Sequence, residues 1–329
     1  MPVLSLRLIA AGVAAALIAL ASASVLLPPR DDFDPSNPYW NGYAKLSRAV
    51  NLSVVDVTVY KPDPRGTVVF VVGPSLNITE DRVEAWRRYV EGGGILVIMD
   101  ETGIVNNALQ MLGVQVRVDG HAMLDTVFYY NSWRIPKIMD LMGGALTDSV
   151  GTLIMDIPSI LILQEGSRGV RVLAYSSSFS FLDLDGDGEP SSGEPYGPFP
   201  VAVEVGYSEG RVILIPDSSL FINGVVDLAG NLQLMENILG GRIAILDAGV
   251  WRRTLHSQFR DAVLTVYSFI SLPEVKYPLT VAVLAAVYML AARGAKPEAG
   301  DEVEALISKH PDWDRRLLEM LREARMRVE

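Results

Sequence analysis

The stretch that decides the fold is TVVFVVGPSLNITEDRVEAWRRYVEGGGILVIM, residues 67–99. Its first and last parts, residues 67–72 and 95–99, are apolar apart from one threonine, which is typical of strands buried on both faces of a parallel sheet. Between them, residues 78–90 repeat apolar side chains at helical spacing, and three consecutive glycines follow as a stop signal. A strand, a helix and a second strand in this order predict a β-α-β unit.

The same pattern continues on both sides of this unit. Residues 53–60 predict a strand, residues 104–112 a helix, and residues 114–118 a strand that completes a second β-α-β step. The later predictions are strands over 152–155, 159–163, 170–176, 199–207 and 211–215, a hairpin turn at 208–210, a helix over 228–239 and a strand over 242–246. We therefore predict an α/β fold with a doubly wound, mostly parallel sheet and a β-rich insertion.

Two apolar segments flank this pattern. Residues 8–27 contain no charged side chain, and about 20 residues at a rise of 1.5 Å cross a hydrocarbon core roughly 30 Å thick. Residues 277–292 form a shorter apolar run, which apolar residues just upstream extend. We expect two transmembrane helices. A cleaved secretory signal is the alternative for the first, because Arg7 precedes it and Ala21-Ser22-Ala23 is similar to a cleavage site.

The positive-inside rule sets the expected topology. Arg7 precedes the first segment, and Arg293 and Lys296 follow the second, so we expect both termini in the cytoplasm and the main domain outside it, at the cell membrane. The Tyr and Trp of residues 31–43 suit the membrane interface. The expected organisation is an N-terminal transmembrane anchor (1–29), a juxtamembrane spacer (30–50), the α/β ectodomain (51–250), a connecting helix (251–276), a transmembrane helix (277–292) and a cytoplasmic helical tail (293–329).

Composition excludes several function classes. The formal net charge is −11, and it falls on the middle of the chain, which argues against nucleic-acid binding because that depends on Lys and Arg neutralising phosphates. The chain has no cysteine. This excludes disulfides, a thiolate nucleophile and cysteine-ligated zinc.

The acidic loop at residues 183–194, DLDGDGEPSSGE, fits the calcium-loop pattern D-x-D-x-D-G-x5-E. The expected ligands are the carboxylates of Asp183, Asp185, Asp187 and Glu194 and the carbonyl of Glu189. Prolines after Glu194 forbid the second helix of an EF-hand, so we expect structural Ca²⁺ on a β scaffold. A solvated Asp-Gly turn without an ion is the alternative.

A second candidate site follows the strand predicted over residues 211–215. Asp217 and Ser218 lie directly after it, at the strand end where α/β sheets bind ligands, and Asn223 is close in sequence. We expect these three to line a ligand pocket, and helix capping is the competing explanation. Gly73-Pro74-Ser75-Leu76-Asn77 is similar to the nucleophile elbow G-x-S-x-G, but Asn77 replaces the last glycine, so an ordinary loop is expected.

Three stretches carry a resemblance to a known family: VVFVVGPSLNITEDRVEAWRRYVEGGGILVIMDETGIVNNALQMLGV, then GPFPVAVEV with EGRVILIPDSSLFING, and HPDWD in the tail. The chain resembles the archaeal and bacterial membrane family called domain of unknown function 4350. The resemblance implies an ectodomain similar to class I glutamine amidotransferases with a membrane span on each side. It also implies a genomic setting with MoxR-type ATPases. The chain lacks the cysteine that amidotransferase activity requires.

Together these patterns favour a non-catalytic, membrane-anchored binding or scaffold protein with an extracytoplasmic α/β domain. The resemblance adds a role in assembling a membrane or envelope complex with a MoxR-type ATPase, which the tail would recruit. Two alternatives stay open. One is an extracytoplasmic hydrolase that uses a serine or a carboxylate, and the other is an auxiliary subunit of a transport complex.

Overall fold

The computed structural model describes residues 2–164, 166, 169–294 and 308–326. The chain divides into two compact units, Met1–Asp261 and Ala262–Glu329. The first unit holds the sheet and the sites discussed below. The second contains most of the helical C-terminal part.

The helices are α1 (Pro2–Leu26), α2 (Leu46–Ala49), α3 (Glu80–Glu91), α4 (Asn106–Leu112), α5 (Asn231–Leu239), α6 (Leu255–Ser271), α7 (Pro273–Gly294) and α8 (Arg315–Met326). The strands are β1 (Leu52–Val55), β2 (Thr67–Val72), β3 (Ile95–Met99), β4 (Val116–Val118), β5 (Ala122–Asp125), β6 (Lys137–Ile138), β7 (Asp140–Leu141), β8 (Leu153–Ile154), β9 (Leu161–Leu163), β10 (Val170–Tyr175), β11 (Ser180–Asp183), β12 (Pro200–Tyr207), β13 (Gly210–Ile215) and β14 (Ile243–Asp247).

The central sheet has eight strands in the order β1-β14-β2-β3-β13-β12-β10-β7. In this order the first five strands, β1, β14, β2, β3 and β13, are parallel to one another. The last three, β12, β10 and β7, continue the sheet in antiparallel pairing. Every residue of β2 and β3 is buried, as their apolar sequences require of strands covered on both faces. The predicted α/β fold with a large, mostly parallel sheet is confirmed.

Helices cover both faces of the sheet. Val69 and Val71 of β2 pack into the same cluster as the apolar faces of α3 and α4. Val68 and Phe70, which point to the other face because side chains alternate along a strand, pack with α5. The connections from β2 and β3 therefore run over one face and the connection from β13 over the other, as in doubly wound sheets.

The second predicted β-α-β step is wrong in its last strand. Helix α4 forms and ends at Gly113 in the left-handed conformation, as predicted. Strand β4, however, pairs antiparallel with β9, outside the eight-stranded sheet. Its Arg117 is exposed between two buried valines, so the strand offers only one apolar face and suits a two-stranded ribbon rather than a sheet interior.

The β-rich part between α4 and α5 contains three two-stranded sheets, β11-β5, β4-β9 and β6-β8. The predicted hairpin at residues 208–210 forms between β12 and β13, where Tyr207 pairs with Gly210. Ser208 has a positive φ of 50°, the conformation that tight hairpin turns demand.

Among the described residues, no single helix combines the length and the apolar composition that crossing a bilayer requires. Helices Leu255–Ser271 and Pro273–Met289 meet the requirement only as a pair, and they are bent by 84° at the break between them. Gly12–Leu26 is a shorter apolar helix. The two transmembrane spans at residues 8–27 and 277–292 therefore stay predictions.

Candidate functional site

The site is built at the carboxyl edge of the parallel strands. Strand β3 ends at Met99 and leads to α4 on one face, while β13 ends at Ile215 and leads to α5 on the other. Neighbouring strands whose connections leave toward opposite faces open a crevice between them, which is where α/β sheets bind ligands. Asp100 and Glu101 follow β3, and Asp217 and Ser218 follow β13.

A segment that we call the strap, residues 30–45, runs across this edge. Although a juxtamembrane spacer was predicted here, Tyr43 within the strap packs into the main hydrophobic core with 1% exposure, and so does Leu46, just beyond the strap, with 0% exposure. Phe33 packs against the same core and lies over Gly73, where an added Cβ would collide with its ring. The strap is therefore part of the folded domain.

One end of the strap is fixed to the chain after β14. The guanidinium of Arg253 lies 3.3 Å from carboxylate oxygens of Asp31 and of Asp34. Asp31 also accepts a hydrogen bond from the backbone N–H of Thr254 at the start of α6. Burial alone would raise the pKa of Asp31, but hydrogen bonds from Ser257, Thr254 and Arg253 hold it below the ordinary value.

The other end of the strap is fixed to the loop after β13. The side-chain amide of Asn223 donates to the carbonyls of Asn37 and Tyr39, at 2.9 and 2.6 Å, and its oxygen accepts from the backbone N–H of Lys45 at 2.7 Å. The phenol of Tyr43 donates to the carbonyl of Ser218. The strap thus closes the crevice between β3 and β13.

Three carboxyl groups meet beneath the strap. Asp217 is fully buried and accepts hydrogen bonds from the backbone N–H groups of Asp156 and Ser219. Glu101 accepts from the N–H of Ser218 at 2.9 Å. Burial raises the pKa of Asp217 well above its ordinary value, and the negative charges of Glu101 and Asp156 act in the same direction. Burial and Glu101 also raise the pKa of Asp156.

Asp217, Ser218 and Asn223, which the sequence analysis named as a ligand-binding group, lie in the chain that follows β13 at the carboxyl edge of the sheet. All three are at least 95% buried, and the hydrogen bonds of Asp217 and Asn223 go to backbone groups of neighbouring loops. Glu101 and Asp156, which complete the cluster, were not predicted, because their only sequence signal is that each lies in a loop that follows an apolar strand.

An open cleft lies beside the buried crevice. It has a volume of about 390 Å³ and lies between the strap, the ends of β1 and β2, and the first residues of α6. Ser75 lines it, and its hydroxyl oxygen accepts a hydrogen bond from the backbone N–H of Arg252 at 2.8 Å. We call this the strap cleft. Its charged lining consists of Arg30, Asp31, Asp32, Asp34, Arg252, Arg253, Arg260 and Asp261.

In the described part of the chain, no histidine or carboxylate hydrogen-bonds to the hydroxyl of Ser75, Ser218 or Ser219. The loop around Ser75 is an ordinary strand-to-helix connection, held by the N–H groups of Ser75 and Leu76 on the carbonyl of Val250. A serine nucleophile needs a base within hydrogen-bond reach.

A buried ion pair supports the floor of this edge. Asp247, at the end of β14, is fully buried and pairs with Arg82 of α3. Its carboxylate also accepts from the indole N–H of Trp86 at 3.0 Å and from the N–H of Gly249 at 3.2 Å. A Cβ at Gly249 would collide with the Arg82 guanidinium, so only glycine lets the chain pass this close.

The acidic loop at residues 183–194 begins at the last residue of β11, outside the eight-stranded sheet. Carboxylate oxygens of Asp183, Asp185 and Asp187 come within 4.8 Å of one another, a group able to hold a metal ion. Glu194 turns both oxygens to the loop's own backbone, accepting from the N–H groups of Leu184 and Ser191. Glu189 is exposed. The three aspartates of the calcium-loop pattern therefore lie close together in the structure.

Several solved structures are similar to part of the chain. The N-terminal domain of mmIFT52 is 16% identical, with a TM-score of 0.41, over 51% of this chain and 73% of that one. A ThuA-like protein from Bacteroides uniformis is 16% identical, with a TM-score of 0.34, over 56% and 73%. Cytoplasmic protein STM1381 from Salmonella typhimurium is 13% identical, with a TM-score of 0.37, over 60% and 83%. At these TM-scores the likenesses say nothing of function.

The sequence comparisons give a family but no relative of known role. No curated protein matches the chain. The sequence model of the domain of unknown function DUF4350 matches residues 35–239. This is more than half of the chain and includes every strand of the central sheet except β14, most of the strap and the acidic loop. The chain therefore belongs to the DUF4350 family.

Proposed function

We propose that this chain is a membrane-anchored binding or scaffold protein, without catalytic activity, whose α/β domain lies outside the cytoplasm and binds a ligand or partner in the strap cleft. The observation that carries the proposal is the cleft itself, which opens at the carboxyl edge of the parallel strands. Its charged walls offer polar contacts of both signs.

The hydrogen bonds at this edge support binding rather than catalysis. The carboxylate of Asp217 and the amide of Asn223 hold loops and the strap in place. The hydroxyl of Ser75 accepts from Arg252, and no base activates it in the described part of the chain. The family resemblance suggests a glutamine amidotransferase-like domain, and we propose that it works without the cysteine chemistry, since the chain has no cysteine.

The apolar side chains of two helices support the membrane anchor. Leu17 and Ile18 of α1 are 61% and 67% exposed, and Val281 and Leu284 of α7 are 66% and 63% exposed. Apolar surfaces of this kind are stable where lipid covers them. Both termini are then cytoplasmic, and the tail from residue 293 recruits a cytoplasmic partner, which the family resemblance suggests is a MoxR-type ATPase in the assembly of a membrane or envelope complex.

The test is site-specific photo-crosslinking of the full chain in native membranes. A photoreactive phenylalanine at Ser36, which lines the strap cleft, is expected to give a discrete crosslinked product. The matched control places the same group at Glu91, an exposed position at the opposite edge of the sheet, and is expected to give none. Equal products at both positions would contradict a specific site.

Two substitutions at one position separate binding from catalysis. Ser75→Trp fills the cleft and is expected to abolish the crosslink from Ser36. Ser75→Ala removes only the hydroxyl and is expected to leave that crosslink unchanged. Persistence of the product in Ser75→Trp would show that the partner does not use the cleft. If the parent chain hydrolyses the ligand that crosslinking identifies and Ser75→Ala does not, the serine hydrolase is favoured instead.

We further propose that the acidic loop binds structural Ca²⁺ through Asp183, Asp185 and Asp187, with contributions from Glu194 and from the carbonyl of Glu189. Three carboxylates this close repel one another unless a cation joins them. Calcium is expected to raise the melting temperature of the full chain in detergent, because a ligand of the folded state stabilises it.

The loop offers a matched pair of variants for this calcium proposal. Asp185→Ala removes a carboxylate and is expected to abolish the calcium-dependent rise. Glu189→Ala removes a carboxylate but keeps the carbonyl ligand, and it is expected to retain the rise. If calcium does not change the melting temperature of the parent chain, the calcium proposal is wrong and the loop is a solvated Asp-Gly turn.

A further inference from the structure

The strap presents two aromatic side chains to solvent. Trp40 is 68% exposed and Tyr39 is 41% exposed. At the end of α1, Leu26 and Leu27 are 81% and 59% exposed. Large apolar side chains are usually removed from water, and several exposed together mark an interaction surface.

The backbone beneath these aromatic side chains is firmly held. The carbonyl of Tyr39 accepts from Asn223 at 2.6 Å, and that of Trp40 accepts from the N–H of Gly224 at 2.9 Å. At Gly42 an added Cβ would collide with Asn37. The fold thus fixes the backbone that carries both rings while leaving the rings exposed.

The aromatic pair lies next to the end of α1. The guanidinium of Arg30 is 5.2 Å from the centre of the Tyr39 ring, within the range of a cation–π contact. The carbonyl of Arg30 accepts from the side chain of Asn41 at 3.3 Å. Arg30 is four residues beyond the end of α1, so the cation that contacts the Tyr39 ring follows closely in sequence on the exposed Leu26 and Leu27.

We infer that Leu26, Leu27, Arg30, Tyr39 and Trp40 form an interfacial patch that docks on the surface of the lipid bilayer and lays the carboxyl edge of the sheet against it. The inference rests on the proposed membrane anchor. Tyr and Trp favour the level of the lipid headgroups, where one part of the ring is apolar and the other is wet. The Arg30 guanidinium is matched to lipid phosphate.

The charges around the patch fit a bilayer contact. Arg253 pairs with both Asp31 and Asp34, and the lining of the strap cleft contains four arginines and four aspartates. This part of the otherwise acidic domain therefore carries no net negative charge that would repel phosphate. Because the strap also forms one wall of the strap cleft, the patch places that cleft at the level of the headgroups. A ligand of the cleft would then be reached along the membrane surface.

The test is tryptophan fluorescence of the full chain in phosphatidylcholine vesicles. Lipids brominated near the ester end of the acyl chain are expected to quench emission more than lipids brominated near the methyl end. Trp40→Phe is expected to abolish most of this shallow quenching. The matched control is Trp133→Phe, which removes a partly exposed tryptophan of the β-rich part and is expected to leave the shallow quenching unchanged.

Flotation of the vesicles separates the two ways in which the inference could fail. If the chain does not float with the vesicles, the membrane anchor itself is wrong. If it floats but Trp40→Phe leaves the shallow quenching intact, the anchor stands and the interfacial patch is overturned. Shielding of Trp40 from both brominated lipid and aqueous iodide would also overturn it, because a protein surface would then cover the patch.

Discussion

At the scale of single residues, the carboxyl edge of the sheet depends on charged groups removed from water. Asp247 and Arg82 form a buried pair of opposite charges, which Asp56 extends on the side of Arg82. Among the described residues, the hydrogen-bond donors to Asp217 are backbone N–H groups, while the charged groups that act on its pKa, Glu101 and Asp156, are both negative. The first arrangement favours ionised side chains, and the second favours a protonated one.

Asp247→Ala is expected to cost about 3 kcal/mol of folding free energy, because it removes the buried partner of Arg82 and the acceptor of the Trp86 indole N–H, and leaves Arg82 only the partly exposed Asp56. The measurement is guanidinium-induced unfolding of the full chain in detergent, followed by circular dichroism. Lys45→Met is the control, since Lys45 and Asp227 form an exposed pair, and its cost should stay below about 1 kcal/mol. Equal losses in the two variants would refute the structural role of Asp247.

Asp217 is expected to make stability fall as pH rises. Its pKa is raised in the folded state above the ordinary value of 3.8, so the folded chain holds this proton more tightly than the unfolded chain does. The contribution is complete below the unfolded pKa and is lost as pH rises through the folded one. The melting temperature of Asp217→Asn should therefore depend less on pH above about 4 than that of the parent.

The slope, rather than the absolute melting temperature, is the measurement for Asp217, because the amide also changes the local hydrogen bonds. Asp156 has a raised pKa as well and leaves some slope in the variant. The pKa of Asp31 is shifted in the opposite direction, below its ordinary value. Its contribution to stability is therefore lost only as pH falls through that lowered pKa. Identical slopes in parent and variant would contradict the assignment to Asp217.

Single residues also mark a limit of sequence reading. The position of Asp217 and Asn223 after β13 followed from the strand pattern, because parallel strands place their carboxyl ends at one edge. Whether their side chains face a ligand or another loop depends on contacts with Asn37, Tyr39 and Asp156. Those contacts join residues far apart in sequence, which no local pattern contains.

At the scale of elements, the strap differs most from its prediction. Its sequence, DDFDPSNPYWNGY over residues 31–43, has the composition of a polar spacer. Asp and Asn side chains of the strap, however, form hydrogen bonds within the domain, such as those of Asn37 and Asn41. The buried strands β2 and β3 were predicted to the residue because their apolar runs are unambiguous. Strand β4 was misplaced because a run that short does not reveal its partner.

The strap is expected to stabilise the start of α6. Asp31→Asn weakens the contacts with Thr254 and Arg253 and removes a negative charge from the positive end of the helix, an effect of roughly 0.3–1 kcal/mol. Hydrogen exchange of the full chain should then be faster in the first turn of α6, residues 255–258. Asp32→Asn is the control, because Asp32 bonds to Asn41 within the strap. Equal acceleration by both variants would rule out a specific contact.

At the scale of the whole molecule, the boundary between the two compact units falls within α6, and the strap follows α1 directly. The contact of Asp31 with Thr254 therefore joins the two places where the chain leaves the sheet domain. This contact holds together, within the first unit, the segment that follows α1 and the segment that leads into α6.

The natural absence of cysteine allows a direct test of the proposed membrane topology. A single cysteine at Lys61, exposed in the loop between β1 and β2, is expected to react with a membrane-impermeant maleimide in intact cells. One at Lys309, exposed in the tail, should react only after the membrane is permeabilised, because the reagent carries charge that the hydrocarbon core excludes. Both must react in detergent, which controls for local shielding. Protection of Lys61→Cys until lysis would place the domain in the cytoplasm, and it would remove the basis for an extracytoplasmic binding function while leaving the sheet and the strap unaffected.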